Sequence, residues 1–311
     1  MAKTIQTVTG PVPAEEVGFT LCHEHLYIQL WEIKGRYDGR HQLEDDDLLA
    51  DELAVFKAQG GSCVVELTPP GLGRKPARLR ALSEKTGLHI VMGCGWYREP
   101  YYPPEHLIEK RSVQSLADQI INEIADGADG TGVRPGVIGE IGVDKSWVSP
   151  IEERVHRAAA RAQVATGYPL VTHGLYSDVG LQQLAILKEE GVDLTRVTVG
   201  HCDSYPVLDY WLRIVEQGSY VAIDNIGSMR AGRHEERIIG LIRELVNRGF
   251  ASQLMLSHDI DMDLSLSYYG GPGFGYLADV FLPKLREQGV AEEVITQLTV
   301  DNPRRWLSIS G

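Results

Sequence analysis

Five short segments of the sequence place histidine or an acidic residue at or just after the end of an apolar run. They are His23-Glu24-His25, Glu140, His173, His201 and Asp259. Imidazole and carboxylate groups together suit Zn, Mn, Fe, Co or Ni ions in proteins. Each feature alone is weak, because a lone histidine in such a place is more often structural. Their joint occurrence predicts a site for divalent metal ions.

The intervals between these residues follow one repeating unit. Glu140 and His173 are 33 residues apart, and His173 and His201 are 28 residues apart, so each gap fits one strand and one helix. The 58 residues from His201 to Asp259 correspond to two such units, and the 115 residues from His25 to Glu140 to three. The spacing of the candidate ligands therefore matches a regular repeat of one strand and one helix.

The local alternation of a strand separates ligands from supporting residues. Because alternate residues share a face, His23 and His25 are expected to point together into the site. Glu24 lies between them and is predicted to be structural. His258 precedes Asp259 and is predicted to support or pack against the site instead of binding metal.

Eight short apolar or β-branched runs are typical of parallel strands that are buried on both faces. These runs are Phe19–Cys22, Ser62–Leu67, His89–Gly93, Val137–Ile141, Pro169–Thr172, Val197–Val199, Tyr220–Ile223 and Gln253–Leu256. Amphipathic segments between and after them predict helices, several of which end at glycine. These segments are Asp46–Gln59, Arg74–Thr86, Ser112–Ile124, Pro150–Thr166, Leu181–Glu190, Pro206–Gln217, Glu235–Arg248 and Tyr276–Gln288.

Eightfold strand–helix alternation predicts an α/β fold, the (β/α)₈ TIM barrel. An open doubly wound sheet would also alternate, but no GxGxxG follows an early strand and the spacing is even. We predict one domain over residues 1–311. Residues 1–18 are predicted to form a short β-hairpin cap, and residues 290–311 a final helix and tail.

Composition narrows the function classes. The net charge of −13 disfavours binding to nucleic acid or to anionic membranes. The first ten residues lack the apolar region of a signal peptide, and no apolar run reaches the ~20 residues of a membrane helix, so a cytoplasmic protein is expected. The four cysteines, none in CxxC spacing, are predicted to be core thiols.

Longer motifs resemble a known family. They are GPVPAEEVGFTLCHEHL, GEIG, VTHG, VTVGHCD, GGPGFGYL…FLPKL and DNPRRWLS. Together they resemble the phosphotriesterase family of the amidohydrolase superfamily over nearly the whole chain. The sequence is most similar to the phosphotriesterase homology subgroup and more distantly similar to the phosphotriesterase-like lactonases. The resemblance implies a (β/α)₈ barrel, two divalent metal ions and a homodimer.

The resemblance also implies a division of the ligands. His23, His25 and Asp259 would hold a buried metal ion, and His173 and His201 a more exposed one. Most of the family bridges the two ions with a carboxylated lysine, whereas this sequence has Glu140 at that position, as the homology subgroup does. Lys145 lies five residues further on and is a poor substitute for the bridge. Zinc is the expected metal, with Mn²⁺, Co²⁺ or Fe²⁺ as alternatives.

Two such ions lower the pKa of a shared water to roughly neutral, so a bridging hydroxide is the expected nucleophile. Asp259 would take up its proton and return it to the leaving group. The expected reaction is hydrolysis of a lactone or carboxyl ester. Phosphotriesterase or amidase activity at the same centre remains an alternative, as does a non-catalytic barrel that binds metal or ligand. A mononuclear centre of the deaminase type is disfavoured, because no glutamate closely follows His173.

Substrate contacts are expected from the loops that follow the strands. Trp96, Tyr97 and Arg98 follow the third predicted strand, and family lactonases place a tyrosine there near the hydroxide. Simple packing of Tyr97 at the rim is an equal alternative. The segment 224–227 and either Arg230 or Arg233 are further candidates for contact with a polar substrate. The loop 261–276, rich in glycine and tyrosine, is either a mobile lid or merely long.

Overall fold

The computed structural model describes residues 3–30, 42–227 and 232–310. Its main sheet consists of eight parallel strands, each hydrogen-bonded to the next in chain order. They are Phe19–Glu24 (β3), Gly61–Glu66 (β6), His89–Cys94 (β7), Val137–Gly142 (β8), Leu170–His173 (β9), Val197–Val199 (β10), Tyr220–Ile223 (β11) and Leu254–Leu256 (β12). The first and last strands meet where the amide N–H of Asp259 donates to His23 and that of His25 donates to Ile260. This order and near closure confirm the predicted (β/α)₈ barrel and exclude the doubly wound alternative.

Helices alternate with these strands and cover the outside of the barrel. They are Asp46–Ala58 (α1), Pro76–Thr86 (α2), Val113–Asp126 (α3), Pro150–Thr166 (α4), Gly180–Glu189 (α5), Leu208–Val215 (α6), Arg233–Asn247 (α7), Leu282–Glu287 (α8), Glu292–Thr296 (α9) and Asn302–Leu307 (α10). Helix α4 begins with a capping box between Ser149 and Glu152. It ends at Gly167, whose φ of 71° is the left-handed conformation that favours glycine at this position.

The strand residues divide into two apolar layers. Side chains such as Leu21, Val64 and Ile90 pack outward against the helices. A second cluster fills the amino end of the barrel, and we call its strand members the floor. The floor, counted on the barrel strands, consists of Cys22, Cys63, Val65, Val91, Val137, Val171, Tyr220 and Met255. Its side chains are apolar or thiols except for Tyr220, whose hydroxyl accepts from Arg305, so the floor provides packing but no chemistry.

Short strands flank the barrel at both ends. At the amino end they are Lys3–Thr7 (β1), Gly10–Pro13 (β2) and Ile309–Ser310 (β13), and beyond the carboxyl end of β3 they are Ile28–Gln29 (β4) and Gln42–Leu43 (β5). Strands β1 and β2 pair in antiparallel fashion, which confirms the predicted hairpin. The chain's last strand, β13, also pairs with β1, an addition that was not predicted. Ile5 of the hairpin and Trp306 of α10 pack against the floor.

Two predicted helices have irregular parts. The predicted helix Tyr276–Gln288 begins as a π-helical turn over Leu277–Phe281 before α8. The predicted final helix is divided into α9 and α10 by a second π-helical turn, Gln297–Asp301. None of the helices in residues 3–30, 42–227 and 232–310 has both the length and the apolar character needed to cross a membrane.

Candidate metal centre

The carboxyl end of the barrel, which we call the mouth, gathers all six predicted ligands. They are His23, His25, Glu140, His173, His201 and Asp259, carried on or directly after strands β3, β8, β9, β10 and β12. Parallel strands deliver their carboxyl ends to one rim, which is why residues so far apart in sequence converge. The four imidazoles and Glu140 are all buried.

Glu140 lies at the centre of this group. Its Oε2 lies 2.9 Å from Nδ1 of His173, 3.4 Å from Nε2 of His201 and 3.5 Å from Nε2 of His23. Its Oε1 lies 3.6 Å from Nε2 of His25. One carboxylate thus faces all four imidazoles, with both oxygens engaged.

Asp259 approaches from the other side and is the more accessible carboxylate. Its Oδ1 lies 3.3 Å from Nε2 of His25 and 3.6 Å from Nε2 of His23. Its side chain is 16% exposed, whereas that of Glu140 is 2% exposed. The mouth therefore opens to solvent on the side of Asp259.

Each imidazole directs one nitrogen inward and anchors the other outward. Nδ1 of His23 and Nδ1 of His201 are hydrogen-bonded to the two oxygens of Asp224, at 2.8 and 3.0 Å. Nδ1 of His25 is bonded to the hydroxyl of Thr68 at 2.9 Å. Such outer hydrogen bonds fix the ring orientation of histidine ligands.

The fourth anchor is a phenol. The hydroxyl of Tyr97 lies 3.2 Å from Nε2 of His173, so Nδ1 of that ring is the nitrogen that faces Glu140. Tyr97 is almost fully buried, and burial raises the pKa of its phenol well above the ordinary value. It therefore remains a protonated phenol at neutral pH and acts here as a support for His173.

The inward-facing atoms fit metal ions. Two groups of three donor atoms that lie within 4.8 Å of one another contain Glu140, one with His23 and His25 and the other with His173 and His201, and a further group joins His23 and His201 to Asp224. Nε2 of His23 is buried without a hydrogen-bond partner in the described part of the chain. Buried polar atoms rarely stay unpaired, and a nitrogen aimed at a carboxylate cluster is typical of a ligand. Glu140 belongs to the first two groups, as a bridging ligand would.

Electrostatics favour cations at this place. Burial opposes a charge on His25, yet Asp259 and Glu140 raise its pKa to about 9. Burial likewise opposes ionisation of Glu140, but His173 and the other imidazoles hold its pKa well below the ordinary value. Burial, with help from His201, lowers the pKa of His173 to about 4. The carboxylates thus create a negative potential at the mouth that favours a cation, and His173 is already in the neutral form that a metal ligand takes.

The backbone at the mouth is unusual at three points. His201 and Asp259 have φ angles of 53° and 54°, the left-handed region that non-glycine residues rarely adopt. Gly139, with a φ of 136°, precedes Glu140, and a Cβ there would lie 2.5 Å from the carbonyl oxygen of Val171. Strained conformations of this kind cluster at functional sites.

Glu24 and His258 support the mouth from behind, as predicted. Oε1 of Glu24 accepts hydrogen bonds from the hydroxyl of Ser257 and from the backbone N–H of His258. Its Oε2 accepts from the backbone N–H of Ile260. This buried carboxylate therefore ties β3 to the segment that carries Asp259.

The structure places two of the predicted substrate contacts in the buried interior. Trp96 is fully buried and its indole N–H donates to His106, which leaves no accessible surface for a substrate. Arg230 lies outside the described residues. Asp224, considered as a contact for a polar substrate, is buried and instead bonds two imidazoles. Its position directly after β11 was the signal that could have assigned it to the mouth.

The structure also locates Lys145, the loop 261–276 and Thr68. The ammonium group of Lys145 lies 4.8 Å from the centroid of the Trp147 ring, in keeping with its exclusion as a bridge. The loop 261–276 contains two short 3₁₀ turns, Asp263–Ser265 and Ser267–Tyr269. Thr68, which sequence reasoning missed, carries no sequence signal beyond its position after β6.

Comparisons with known proteins agree with the fold and the resemblance described above. The sequence model of the phosphotriesterase family matches residues 3–307. The phosphotriesterase homology protein of Escherichia coli is 38% identical, with 94% of this chain and 98% of that protein covered. The N-acetyltaurine hydrolase of Homo sapiens is 31% identical, with 98% and 97% covered. The crystal structure of a lactonase from Listeria monocytogenes superposes with a TM-score of 0.92 at 27% identity, covering 99% of this chain and 100% of that one.

Proposed function

This chain belongs to the phosphotriesterase family of metal-dependent hydrolases, and we propose that it hydrolyses a lactone or another carboxyl ester at a centre of two divalent metal ions. The observation that carries the proposal is the position of Glu140, whose carboxylate lies within 3.6 Å of all four inward imidazole nitrogens. A single carboxylate shared by two groups of donors suits two ions better than one.

The donors divide naturally into two sets. His23, His25 and Asp259 would hold one ion, and His173 and His201 the other, with Glu140 between them. The short distances from Asp259 to His23 and His25 support the first set. Zinc suits four imidazoles with carboxylates, and manganese, cobalt or iron are compatible with the same donors.

When bound, divalent ions activate water for attack and polarise the substrate carbonyl. The remaining chemistry falls to the protein. Asp259, the accessible carboxylate, takes up the proton of the attacking water and passes it to the leaving group. Glu140 stays ionised and buried, so it is unsuited to proton transfer and serves the structure of the centre. Tyr97, Thr68 and Asp224 hold the imidazoles in place.

An amide is the second candidate substrate. The similarity to a lactonase supports an ester, whereas the similarity to N-acetyltaurine hydrolases supports an amide. Both substrates present a carbonyl to the same nucleophile. They differ in the leaving group, because an amine must be protonated as it departs. Asp259 could serve either reaction, so a direct assay decides between them.

Two measurements test the proposal. Elemental analysis of protein purified without chelator should find about two metal ions per chain, since the donors form two sets. A pH-indicator screen against lactones, esters, amides and phosphotriesters should show hydrolysis of lactones or esters first. Protein that contains no metal, and gains no activity with Zn²⁺, Mn²⁺ or Co²⁺, would refute the proposal. Full metal content without hydrolysis in any panel would indicate a binding barrel instead.

The role of Asp259 can be isolated by substitution. Asp259→Asn should lower kcat by roughly 10²–10⁴-fold, the usual contribution of a positioned acid or base. Asp301→Asn is the matched control, because that aspartate is about half exposed and forms an ion pair with Arg304 at 3.6 Å. If Asp259→Asn kept the wild-type kcat at full metal content, another group must move the proton.

A further inference from the structure

Arg98 lies just beyond the end of β7, beside the mouth but outside the set of metal donors. Its guanidinium carbon lies 4.7 Å from the centroid of the Tyr97 ring and 4.8 Å from that of Tyr101. The side chain is 16% exposed, so the charged group is sheltered without being sealed off. Two aromatic rings thus hold the planar cation in a defined orientation.

The hydrogen-bonding capacity of Arg98 is poorly used. Its Nε is buried and has no hydrogen-bond partner among the described residues. Its Nη1 reaches Oδ1 of Asp144 only at 3.4 Å, beyond the 2.7–2.9 Å usual for a charge-assisted hydrogen bond. By contrast the buried Arg74 meets Glu123 and Asp129 at 2.8 Å each. The guanidinium of Arg74 is therefore paired with two carboxylates and serves the structure. The guanidinium of Arg98 is held in place but keeps N–H groups that could donate to a ligand.

Only one aromatic ring separates Arg98 from the metal donors. The centroid of the Tyr97 ring lies 4.5 Å from that of His173, on which the hydroxyl of Tyr97 is anchored. Gly142, at the end of β8, leaves room for the arginine, since a Cβ there would lie 2.8 Å from its Cγ. A molecule with its carbonyl at the metal donors could therefore place a second group beside the guanidinium.

We propose that Arg98 is an anion-binding subsite that recognises a carboxylate on the substrate, a short chain away from the bond that is hydrolysed. This inference rests on the proposed function and adds a substrate class, the anionic esters or lactones. The planar fork of arginine matches a carboxylate, and the stacked rings limit its movement. In a protein with a net charge of −13, general electrostatics would not attract such a substrate, so a local cation is needed.

The kinetic test compares charged and neutral substrates of the same shape. Monomethyl succinate and monomethyl glutarate are assayed with the metal-loaded protein beside their neutral amides, methyl succinamate and methyl glutaramate. We expect kcat/KM to favour the carboxylates by roughly 10–100-fold, the usual range for hydrogen bonds to a charged group. Arg98→Gln should abolish that preference. The ester bonds of methyl succinamate and methyl glutaramate should still be hydrolysed within a few-fold of the wild-type rate. Arg98→Lys should restore part of the preference.

The matched control is Arg248→Gln, which removes an exposed arginine whose partner is Glu244 at the end of α7. This variant should keep the wild-type preference. If Arg98→Gln slowed charged and neutral esters equally, Arg98 would only support Tyr97 and the proposal would be wrong. A wild-type protein that preferred the neutral esters would also overturn it.

A binding measurement separates this proposal from the proposed function. Levulinate has a ketone in place of the ester and cannot be hydrolysed, and levulinamide is its neutral counterpart. By calorimetry, wild-type protein should bind levulinate at least about tenfold more tightly than levulinamide, and Arg98→Gln should bind both alike. Binding of levulinate through Arg98 without hydrolysis of any ester would refute the proposed function and leave the subsite intact. Ester hydrolysis without any such preference would refute the subsite alone.

Discussion

At the floor of the barrel the inward-facing side chains are mostly apolar, whereas at the mouth of the same strands they are imidazoles and carboxylates. In β9 the change takes place within two residues, from Val171 to His173. In β12 and the segment after it, the change runs from Met255 to Asp259. The two ends belong to the same strands, so the comparison isolates what the side chains at each end must satisfy.

That difference has a physical consequence. An apolar side chain in the floor needs a volume to fill, and several residue types meet that need. A buried imidazole at the mouth needs a partner for each nitrogen, since an unpaired buried polar atom costs roughly 1–3 kcal/mol. The mouth accordingly carries the left-handed residues His201 and Asp259, which place donors where alternation alone would not. Substitutions at the two ends should therefore fail in different ways.

The largest effect is expected at the centre of the mouth. Glu140→Gln keeps the shape of the side chain but removes the charge that faces four imidazoles. Metal content should fall below half of the wild-type value, and kcat/KM by about 10⁴-fold, because metal ions supply several kcal/mol of transition-state stabilisation. Elemental analysis and the ester assay measure the two effects.

The control for this change is Glu236→Gln, since Glu236 is exposed on α7. It should leave metal content and rate at the wild-type level. Circular dichroism should show that both variants are folded. A Glu140→Gln protein with full metal content and full rate would show that Glu140 is not the bridge.

The floor should give the opposite result. Met255→Ala removes a fully buried side chain from the packed interior of β12. The free energy of unfolding should fall by about 2–5 kcal/mol, the usual cost of truncating a large core side chain. Urea denaturation measures this loss, and elemental analysis should find the wild-type metal content. Loss of metal from the folded variant would mean that floor and mouth are not independent.

The two ends also differ in how far the sequence could predict them. Apolar runs between turn signals gave all eight barrel strands to within two residues at each end, because burial on both faces leaves a plain hydrophobic pattern. The spacing of His25, Glu140, His173 and His201 placed them at one rim. The strands of a (β/α)₈ barrel all end at one rim, so the prediction of the fold also predicted that these residues converge.

The sequence could not predict the local detail of the mouth. The pairing register of β3 shifts between Leu21 and Glu24, and that of β8 between Ile138 and Ile141, so strict alternation does not extend from the floor to the ligands. The sequence suggested a substrate contact for Asp224, because a sequence does not show in which direction a side chain points or which groups it bonds. Trp96 was misplaced for the same reason. Only tertiary packing decides whether a residue after a strand faces the mouth or the helices.

A third prediction concerns the support behind the mouth. His156 of α4 is fully buried, its Nδ1–H donates to the carbonyl of Glu152, and its Nε2 accepts from the amide of Gln183. The same amide donates to the carbonyl of His173. This arrangement requires a neutral imidazole, and burial lowers the pKa of His156 from 6.5 to about 4.

The sign of the pH effect follows from these values. Between pH 6.5 and about 4 the unfolded chain binds a proton at His156 and the folded chain does not. Stability from this residue is complete above pH 6.5 and is lost as the pH falls towards 4, by about 3 kcal/mol in all. In His156→Gln the free energy of unfolding should depend less steeply on pH over that window. Wild type and variant share the same metal donors, so protonation of those donors cancels in the difference. Parallel pH profiles would contradict this prediction.

The smallest effect is expected from the carboxylate that orients the ligands. Asp224 bonds Nδ1 of His23 and Nδ1 of His201, and also accepts from the backbone N–H of His201 at 2.9 Å. Burial opposes its charge, but His201 and His23 lower its pKa, so it is an anion at neutral pH. In Asp224→Asn the amide group presents a donor to one of the two imidazole N–H groups. Metal affinity should fall by about 10–100-fold, as is usual for such supporting carboxylates.

Competition with a chromogenic chelator for Zn²⁺ measures this affinity. The matched control is Asp203→Asn, because Asp203 is also buried and bonds Asn225, and within the described ranges it forms no ion pair with an imidazole. That variant should stay within a few-fold of wild type. An unchanged affinity in Asp224→Asn would show that the outer nitrogens need no anion. A loss far beyond 100-fold would instead make Asp224 a direct ligand, as its position within 4.8 Å of His23 and His201 donor atoms would allow. Because Asp224 touches one histidine from each proposed set, a loss in the expected range should affect both ions together, and the chelator titration should then show two equal losses.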